Sequence, residues 1–338
     1  MKLISLVFVL TALCSSLWSM EIKPWQVFPV SLSNENQEAP QIHDHTVVWH
    51  QFMTKYRDYD IVIADINIPE EPLVQVIGQA NDQLFPAVWG NTVVWQSYSV
   101  RQYSEDWDIF AADISLWNEP VIFPVSEVVN NDEQVPAISG NVVVWQDGFA
   151  DNYNIYGADI TDIEHKLEFP IAVFDANQEA PAIYRNTVVW QDDFYEDWDI
   201  YGSDIWLRNN TSEYVVTPLD AHQVAPSVSG KYIVWQDDFA NNWDIYGAKL
   251  MEDNKMSLFQ ITFNKAQQIN ACVCGDIVVW QDNRNGNWDI FGYDLVTQKE
   301  FQITFDPADQ ILPCISANTV VWQDKRNGVW NIYALIMD

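Results

Sequence analysis

The stretch 186–205, NTVVWQDDFYEDWDIYGSDI, contains the pattern on which the whole chain is built. Two short runs rich in valine, isoleucine and aromatic residues flank an acidic turn, which is typical of two paired β-strands. A Val-Val-Trp or Ile-Val-Trp segment recurs seven times, with 42–50 residues between successive tryptophans: Trp49, Trp95, Trp145, Trp190, Trp235, Trp280 and Trp322. An all-β repeat of about 40–50 residues predicts a β-propeller.

Each repeat predicts four strands. Strand a surrounds an Ala-Pro pair, as in 180–183, and strand b contains the Val-Val-Trp-Gln motif. Strand c reads Trp-Asp-Ile-Tyr-Gly, as in 243–247, and strand d is a shorter apolar run. The seventh unit lacks strand d, whereas residues 25–31 supply an extra strand before the first unit. The sequence therefore predicts one domain over residues 20–338, an all-β, seven-bladed β-propeller of four-stranded antiparallel blades, closed by the N-terminal strand that completes the last blade.

Two segments of the sixth unit carry a family resemblance. They are VWQDNRNGNWDIFGYDL at 279–295 and FQITF at 301–305, and their pattern resembles the TolB-like β-propeller repeats of exported bacterial and archaeal surface proteins. The resemblance covers nearly all of the chain after residue 20. It implies the propeller fold and an exported protein. It does not specify an activity, because propellers serve in ligand binding, protein docking, lyases and peptidase gates.

The N-terminus and the charge limit the location and the partners. Lys2, the apolar run 3–13 and the small residues after it predict a signal peptide over residues 1–19, and hence a secreted, periplasmic or cell-surface protein. No other segment is apolar enough to span a membrane. The net charge of −32 disfavours nucleic acid as a partner. A protein or carbohydrate partner remains open, and we expect a monomer.

Polar residues also recur at fixed places in the repeat. One set opens the turn between strands b and c, where a short carboxylate accepts backbone N–H groups, and we expect it to be structural: Asp147, Asp192, Asp237, Asp282 and Asp324. A second set precedes the strand-a proline by three residues: Gln37, Gln83, Glu133, Gln178, Gln223, Gln268 and Gln310. These seven side chains are predicted either to form a polar ring at the channel mouth that binds a small polar ligand, or to cap their own turns.

Differences between the units are the other candidate sites. The b–c turns of the first two units are longer than the rest and lack the usual aspartate. They concentrate basic and tyrosine side chains, which are frequent at binding hot spots: Lys55, Tyr56, Arg57, Tyr98, Arg101 and Tyr103. We expect a ligand or partner patch there, with simple loop variation as the alternative.

Catalytic and metal-binding motifs are not evident. No Gly-x-Ser-x-Gly elbow occurs, and carboxylates are too numerous to single out a glycosidase pair. The oligogalacturonate lyases, which are similar in fold, are expected to carry a histidine-rich metal site, whereas this chain offers only His50 and His222 on the corresponding face. We therefore predict no metal and no cofactor.

The cysteines predict buried thiols. Cys272 and Cys314 occupy the same repeat position, which Ser227 fills in another unit, so we expect them not to face each other. Cys272 and Cys274 lie two apart on one strand, which is poor geometry for a disulfide.

These observations favour a non-catalytic binding or scaffolding protein, which engages a protein or small polar ligand on the face with the b–c turns and the channel mouth. One alternative is a polysaccharide lyase or glycoside hydrolase that acts at the channel mouth. Another is a surface-layer or adhesion component.

Overall fold

The computed structural model describes residues 25–101, 104–148, 152–194, 197–206, 212–217, 221–251 and 255–337. These residues form 28 strands and no helix, and the strands make seven four-stranded antiparallel sheets. The predicted seven-bladed propeller is confirmed. The predicted signal peptide, residues 1–19, lies outside the described residues.

The strands follow the order of the repeat, a to d within each blade. Blades 1 and 2 comprise β2 (Gln37–His43), β3 (Thr46–Met53), β4 (Asp58–Asp65), β5 (Leu73–Ile77), β6 (Gln83–Trp89), β7 (Thr92–Val100), β8 (Glu105–Asp113) and β9 (Val121–Ser126). Blades 3 and 4 comprise β10 (Glu133–Ser139), β11 (Val142–Asp147), β12 (Asn154–Asp159), β13 (Leu167–Ala172), β14 (Gln178–Tyr184), β15 (Thr187–Asp192), β16 (Asp199–Asp204) and β17 (Ser212–Val215).

The remaining blades repeat this arrangement. Blade 5 comprises β18 (Gln223–Ser229), β19 (Tyr232–Asp237), β20 (Asp244–Leu250) and β21 (Met256–Gln260), and blade 6 comprises β22 (Gln268–Cys274), β23 (Ile277–Asp282), β24 (Asp289–Asp294) and β25 (Lys299–Gln302). Blade 7 comprises β26 (Gln310–Ser316), β27 (Thr319–Asp324), β28 (Asn331–Ile336) and β1 (Gln26–Ser31).

The N-terminal strand closes the ring as the sequence predicts. β1 pairs antiparallel with β28, with Phe28 opposite Ala334, and Phe28 and Val30 are buried. This pairing covers the edge of β28, which would otherwise present free backbone groups to solvent.

The strand-b tryptophans form the core between the blades. All seven indoles are 0–1% exposed. Trp235 of blade 5, for example, packs in one cluster with Val189, Ile200 and Val216 of blade 4. A buried aromatic side chain removes about 150–250 Å² from water, so the recurrent tryptophan joins neighbouring blades, as the repeat indicated.

A second contact ties the blades together by hydrogen bonds. The third residue of each strand a has a positive φ, as at Ala180 and Ala225, and the strand register shifts there. The N–H of this residue donates to the glutamine that follows the tryptophan in the preceding blade. Ala180 N lies 3.1 Å from Gln146 Oε1, and Ala225 N lies 3.0 Å from Gln191 Oε1.

The ring has two faces, which we name by their turns. The b–c face carries the turns between strands b and c and the start of each strand a. The a–b face carries the turns between strands a and b and those between strands c and d.

Candidate functional site

The predicted polar ring is buried. All seven side chains are 0% exposed: Gln37, Gln83, Glu133, Gln178, Gln223, Gln268 and Gln310. The Gln178 amide donates to Ala176 O at 2.9 Å, and the Gln223 amide donates to Ala221 O at 2.8 Å. Each of these two amides therefore caps its own turn, which was the alternative to a ligand-binding ring. Burial leaves the seven side chains without contact to solvent in the channel.

Apolar residues line the channel instead. Its volume is about 410 Å³, and its wall is built from the Ala-Pro segments of strand a and their equivalents, including Ala39, Pro40, Ala180, Pro181, Ala225 and Pro226. A wall of this composition offers few hydrogen bonds to a polar ligand. The channel itself is therefore a poor binding site for a sugar or an ion.

The aspartates that open the b–c turns are also buried. They are Asp147, Asp192, Asp237, Asp282 and Asp324. Asp192 Oδ1 accepts the Phe194 N–H at 2.9 Å, and Asp324 Oδ1 accepts the Arg326 N–H at 3.0 Å. A carboxylate that accepts the N–H two residues later forms an Asx turn, so these side chains shape the turns that carry the surface residues.

The basic residues of the b–c turns lie along one arc, the basic arc, in blades 6, 7, 1 and 2, which are consecutive around the ring. They are Arg284, Lys325, Arg326, Lys55, Arg57 and Arg101. Lys265, exposed in the loop before blade 6, lies on the same face outside these turns. The turns of blades 3, 4 and 5 carry carboxylates and no Lys or Arg. The Lys and Arg side chains of the b–c turns are therefore confined to one side of this face, on a chain of net charge −32.

Three arginines of the basic arc are half-buried, and aspartates of their own hairpins neutralise their charge. Arg284 Nη2 lies 2.5 Å from Asp282 Oδ2, and Arg326 Nη2 lies 2.6 Å from Asp324 Oδ2. Arg101 binds both Asp106 and Asp108. These pairs hold the turns in shape and leave little charge for a ligand.

The other three cations of the basic arc are exposed: Lys55, Arg57 and Lys325. Lys55 Nζ lies 4.6 Å from the centre of the Tyr56 ring and 2.8 Å from its hydroxyl, and Lys325 Nζ lies 5.1 Å from the centre of the Trp330 ring. None of the three forms an ion pair with a carboxylate in the described part of the chain. They are therefore available to an anionic ligand.

The predicted binding residues in the b–c turns of blades 1 and 2 differ in their exposure and contacts. Lys55, Tyr56 and Arg57 project from the b–c turn of blade 1 into solvent. In blade 2 the Tyr98 hydroxyl donates to Glu105 at 2.9 Å, a bond that raises the pKa of Tyr98. Arg101 is occupied by its two aspartates, so it and Tyr98 brace the longer hairpin. Tyr103 lies outside the described residues.

Aromatic rings line the b–c face between the blades. One side chain at the start of each strand c is partly exposed: Tyr59, Trp107, Tyr153, Trp198, Trp243, Trp288 and Trp330. Its backbone N–H donates to a side chain that precedes the next strand a, as from Trp107 to Asp132 at 3.1 Å. Between Trp243 and Trp288 this arrangement leaves a cleft of about 510 Å³ with Asp238, Asn242 and Gln267.

The two histidines on this face are structural clamps. His50 replaces the glutamine that follows the strand-b tryptophan, and it is 5% exposed. Its Nδ1 accepts the Phe85 N–H at 3.3 Å, and its Nε2 lies 3.7 Å from Glu38. His222, in the loop before blade 5, accepts the Trp198 N–H through Nδ1 at 3.3 Å.

A histidine-rich metal site of the kind expected in lyases of similar fold does not fit these residues. His50 and His222 belong to blades 1 and 5, and each uses Nδ1 for a backbone contact. Within the ranges that the structure describes, no three His, Cys, Asp or Glu side chains are grouped to hold a metal ion. We derive no catalytic step through a metal.

His50→Gln tests the structural role of this histidine. We expect the free energy of unfolding to stay within about 1 kcal/mol of the original, because glutamine makes the same bond in other blades. His50→Ala should destabilise the protein by about 1–3 kcal/mol, since it leaves the Phe85 N–H unpaired. Urea unfolding of both variants measures this difference. Equal losses in both would contradict the clamp.

Two features of the structure were not anticipated. A cleft of about 640 Å³ lies on the a–b face between blades 2 and 3, beside Trp89. The Trp89 ring lies 4.2 Å from that of His43. The sequence did contain a signal for this cleft, because Trp89 ends strand a of blade 2 at the position that Ser139 occupies in blade 3. In addition, Cys272 and Cys314 do face each other, which contradicts the expectation from their equivalent positions.

Comparison with known proteins identifies the fold. No protein-family model matches the sequence, and no curated protein matches it. The chain is similar to the solved oligogalacturonate lyase from Vibrio parahaemolyticus, with a TM-score of 0.65 and 8% identity over 94% of this chain and 95% of the lyase. It is similar to the β-propeller domain of the Trilobed protease from Pyrococcus furiosus, with a TM-score of 0.64 and 11% identity over 90% and 94% of the two chains.

Full-length peptidases match over part of their length. The puromycin-hydrolyzing peptidase of Mycobacterium tuberculosis gives a TM-score of 0.65 and 11% identity over 89% of this chain. Our chain spans about half of that peptidase, 52% of its length.

In the part of our chain that the structure describes, no helix is long and apolar enough to cross a membrane.

These neighbours correct the functional expectation. They are mostly propellers of peptidases and a lyase, so the prediction of a non-catalytic binding or scaffolding module is wrong, and the glycan-cleaving alternative agrees with them better. At 8–12% identity the similarity establishes the fold, and the TolB-like family is matched by no family model. The chain is a seven-bladed β-propeller.

Proposed function

We propose that the protein cleaves a uronate-containing polysaccharide bound across the b–c face of blades 7 and 1. The observation that carries this proposal is the set of exposed cations Lys55, Arg57 and Lys325 on a strongly acidic chain. Lys55 and Lys325 also lie beside aromatic rings. Repulsion from the rest of the surface would keep a polyanion away from other sites. The basic arc is the part of the b–c face that attracts it.

The chemistry of the patch suits such a substrate. Ammonium and guanidinium groups form charge-assisted hydrogen bonds with carboxylates. The C–H face of a sugar ring is apolar and packs on an aromatic face, as Tyr56 and Trp330 offer. Both rings are already next to a cation, so one sugar unit can contact a ring and a charge together.

The choice of elimination over hydrolysis has two supports. A solved neighbour that matches this chain over nearly the whole length of both proteins is an oligogalacturonate lyase. The alternative, a glycoside hydrolase, needs two accessible carboxyl groups on either side of the scissile bond. The cross-strand aspartate pairs at the b–c turns do not meet this need, because all six side chains are at most 5% exposed: Asp192–Asp199, Asp237–Asp244 and Asp282–Asp289.

An assay on defined glycans tests this function. We expect turnover of a polyuronate with the ultraviolet absorbance of an unsaturated product, and none of a neutral glucan. Replacing Lys55, Arg57 and Lys325 together by alanine should raise KM about tenfold or more, because each exposed charge contributes up to about 1 kcal/mol. The stability of the variant should not change.

Lys231→Ala is the matched control. Lys231 is exposed on the a–b face, with Nζ 5.3 Å from the centre of the Tyr232 ring, so the variant loses the same charge from an aromatic ring elsewhere. Its KM should equal that of the original protein. If the products carry new reducing ends but no unsaturated sugar, the reaction is hydrolysis and the proposed elimination is wrong. No turnover of any glycan would overturn the proposal.

We also infer that the protein is exported and belongs with the TolB-like repeats. The predicted signal peptide over residues 1–19 supports export. Fractionation of the native host tests this inference. Recovery of the uncleaved chain from the cytoplasm would contradict it.

A further inference from the structure

The fifth residue of strand a contacts the next blade in blades 5, 6 and 7. The seven residues at this position are Gln41, Ala87, Ala137, Ala182, Ser227, Cys272 and Cys314. Ser227 Oγ of blade 5 accepts the Val273 N–H of blade 6 at 3.2 Å. Cys272 extends in the same way from blade 6 to blade 7, and its Sγ lies 3.7 Å from that of Cys314.

We propose that Cys272 and Cys314 form a disulfide that links the innermost strands of blades 6 and 7. The S–S bond of a disulfide is about 2.0 Å long, so the two sulfur atoms need to approach by less than 2 Å. Both thiols belong to neighbouring strands, β22 and β26, and pack in the same cluster of core residues. The separation of 3.7 Å is already that of van der Waals contact between the two sulfur atoms.

The surroundings assign different roles to the two thiols. Cys272 lines the central channel, so a small disulfide-containing oxidant can reach it, whereas Cys314 is buried. The hydrogen bond with the Cys314 thiol lowers the pKa of Cys272, and the same contact, together with burial, raises the pKa of Cys314. Cys272 is therefore the attacking thiol, because it is the one of the two that an oxidant in the channel can reach.

The reaction is a thiol–disulfide exchange with an external disulfide. The Cys272 thiolate attacks one sulfur of the oxidant and releases the other half as a thiolate, which leaves a mixed disulfide. Cys314 then loses its proton and attacks Cys272 Sγ, which releases the second half. Two protein thiols are oxidised, one oxidant disulfide is reduced to two thiols, and the two protons pass to them.

The third thiol provides an internal control. Cys274 is partly buried, and its Sγ accepts the Ala317 N–H at 3.3 Å. It lies two residues from Cys272 on β22, where the geometry of a strand opposes a disulfide between them. It should stay a free thiol.

Oxidised glutathione is a suitable probe for the folded full-length chain. After treatment, digestion and mass spectrometry should show one linked peptide that joins Cys272 and Cys314, lighter than the two thiol peptides by two hydrogen atoms. Cys274 should remain open to alkylation. The oxidised protein should melt at a higher temperature than the reduced one, because the bond closes a loop of the unfolded chain.

Variants separate the outcomes. Cys274→Ser should still form the link and keep the rise in melting temperature. Cys272→Ser should show neither, and Cys314→Ser should stop at glutathione attached to Cys272. If glutathione stays attached to Cys272 in the original protein, or if the linked peptide contains Cys274, the proposal is wrong.

Discussion

Glu133→Gln is expected to stabilise the protein increasingly as the pH rises. Glu133 is fully buried, its Oε2 has no hydrogen-bond partner among the described residues, and burial raises its pKa from 4.5 to about 8. The folded state therefore holds a proton that the unfolded state releases, and stability falls as the pH rises from 4.5 to about 8. Because glutamine does not titrate, Glu133→Gln should avoid this loss and raise the free energy of unfolding by about 2–4 kcal/mol at pH 9.

The other blades show why glutamine fits at this position. In blades 4 and 5 the amide donates to the carbonyl two residues earlier, a bond that an ionised carboxylate cannot make. Urea unfolding at several pH values measures the effect. Gln178→Glu is the reverse control, because it places a carboxyl group opposite Asp192 as Glu133 stands opposite Asp147. A constant difference between Glu133→Gln and the original at all pH values would contradict the explanation.

Trp235→Ala is expected to lower the free energy of unfolding by about 3–5 kcal/mol. The indole is 0% exposed and fills the space between blades 4 and 5, so alanine leaves a cavity that the neighbouring sheets cannot close. That loss is a large part of the stability of an ordinary domain.

Trp206→Ala is the control for this substitution. Trp206 is 74% exposed, so its removal should change stability by less than about 1 kcal/mol. Chemical denaturation of both variants compares them. Similar losses at the two positions would mean that the strand-b tryptophans do not hold the blades together.

The repeat was sufficient to predict the architecture. A blade with a large buried ring at a fixed place needs a neighbour on each side, so seven such units form a closed ring. The missing last strand and the extra first one predicted the pairing of β1 with β28, which the structure shows. Periodicity and side-chain size carry this information, and both can be read directly from the sequence.

The positions of polar side chains were harder to predict. The glutamine before each Ala-Pro segment was expected near the channel mouth, but a positive φ two residues later, as at Ala180, shifts the strand register. The glutamine then lies inside its turn. Neither alanine nor leucine at that position signals a positive φ, because both residues usually avoid it.

Contacts across blades were missed for a related reason. Equivalent residues of a ring were assumed to point the same way without meeting. In the structure the side chains of Ser227, Cys272 and Cys314 at the fifth position of strand a each contact the next strand a, so Cys272 and Cys314 meet. The separation of neighbouring strands depends on the side chains between them, which a single sequence does not specify.

Differences between units gave the better guide to function. Lys55 and Arg57 stood out because their turn departs from the pattern, and the structure leaves both exposed on the b–c face. Lys325 was not singled out, because its turn follows the pattern. Its importance appears once blades 7 and 1 are seen to be neighbours in the ring.

Hydrogen–deuterium exchange with and without a uronate oligosaccharide tests most directly whether the substrate lies across blades 7 and 1. We predict slower exchange in the turns at 52–58 and 325–330, and unchanged exchange in the corresponding turns of blades 4 and 5. The Lys55, Arg57 and Lys325 triple variant should lose the protection. Protection confined to blades 3–5 or to the a–b face would contradict the assignment of the substrate to the basic arc.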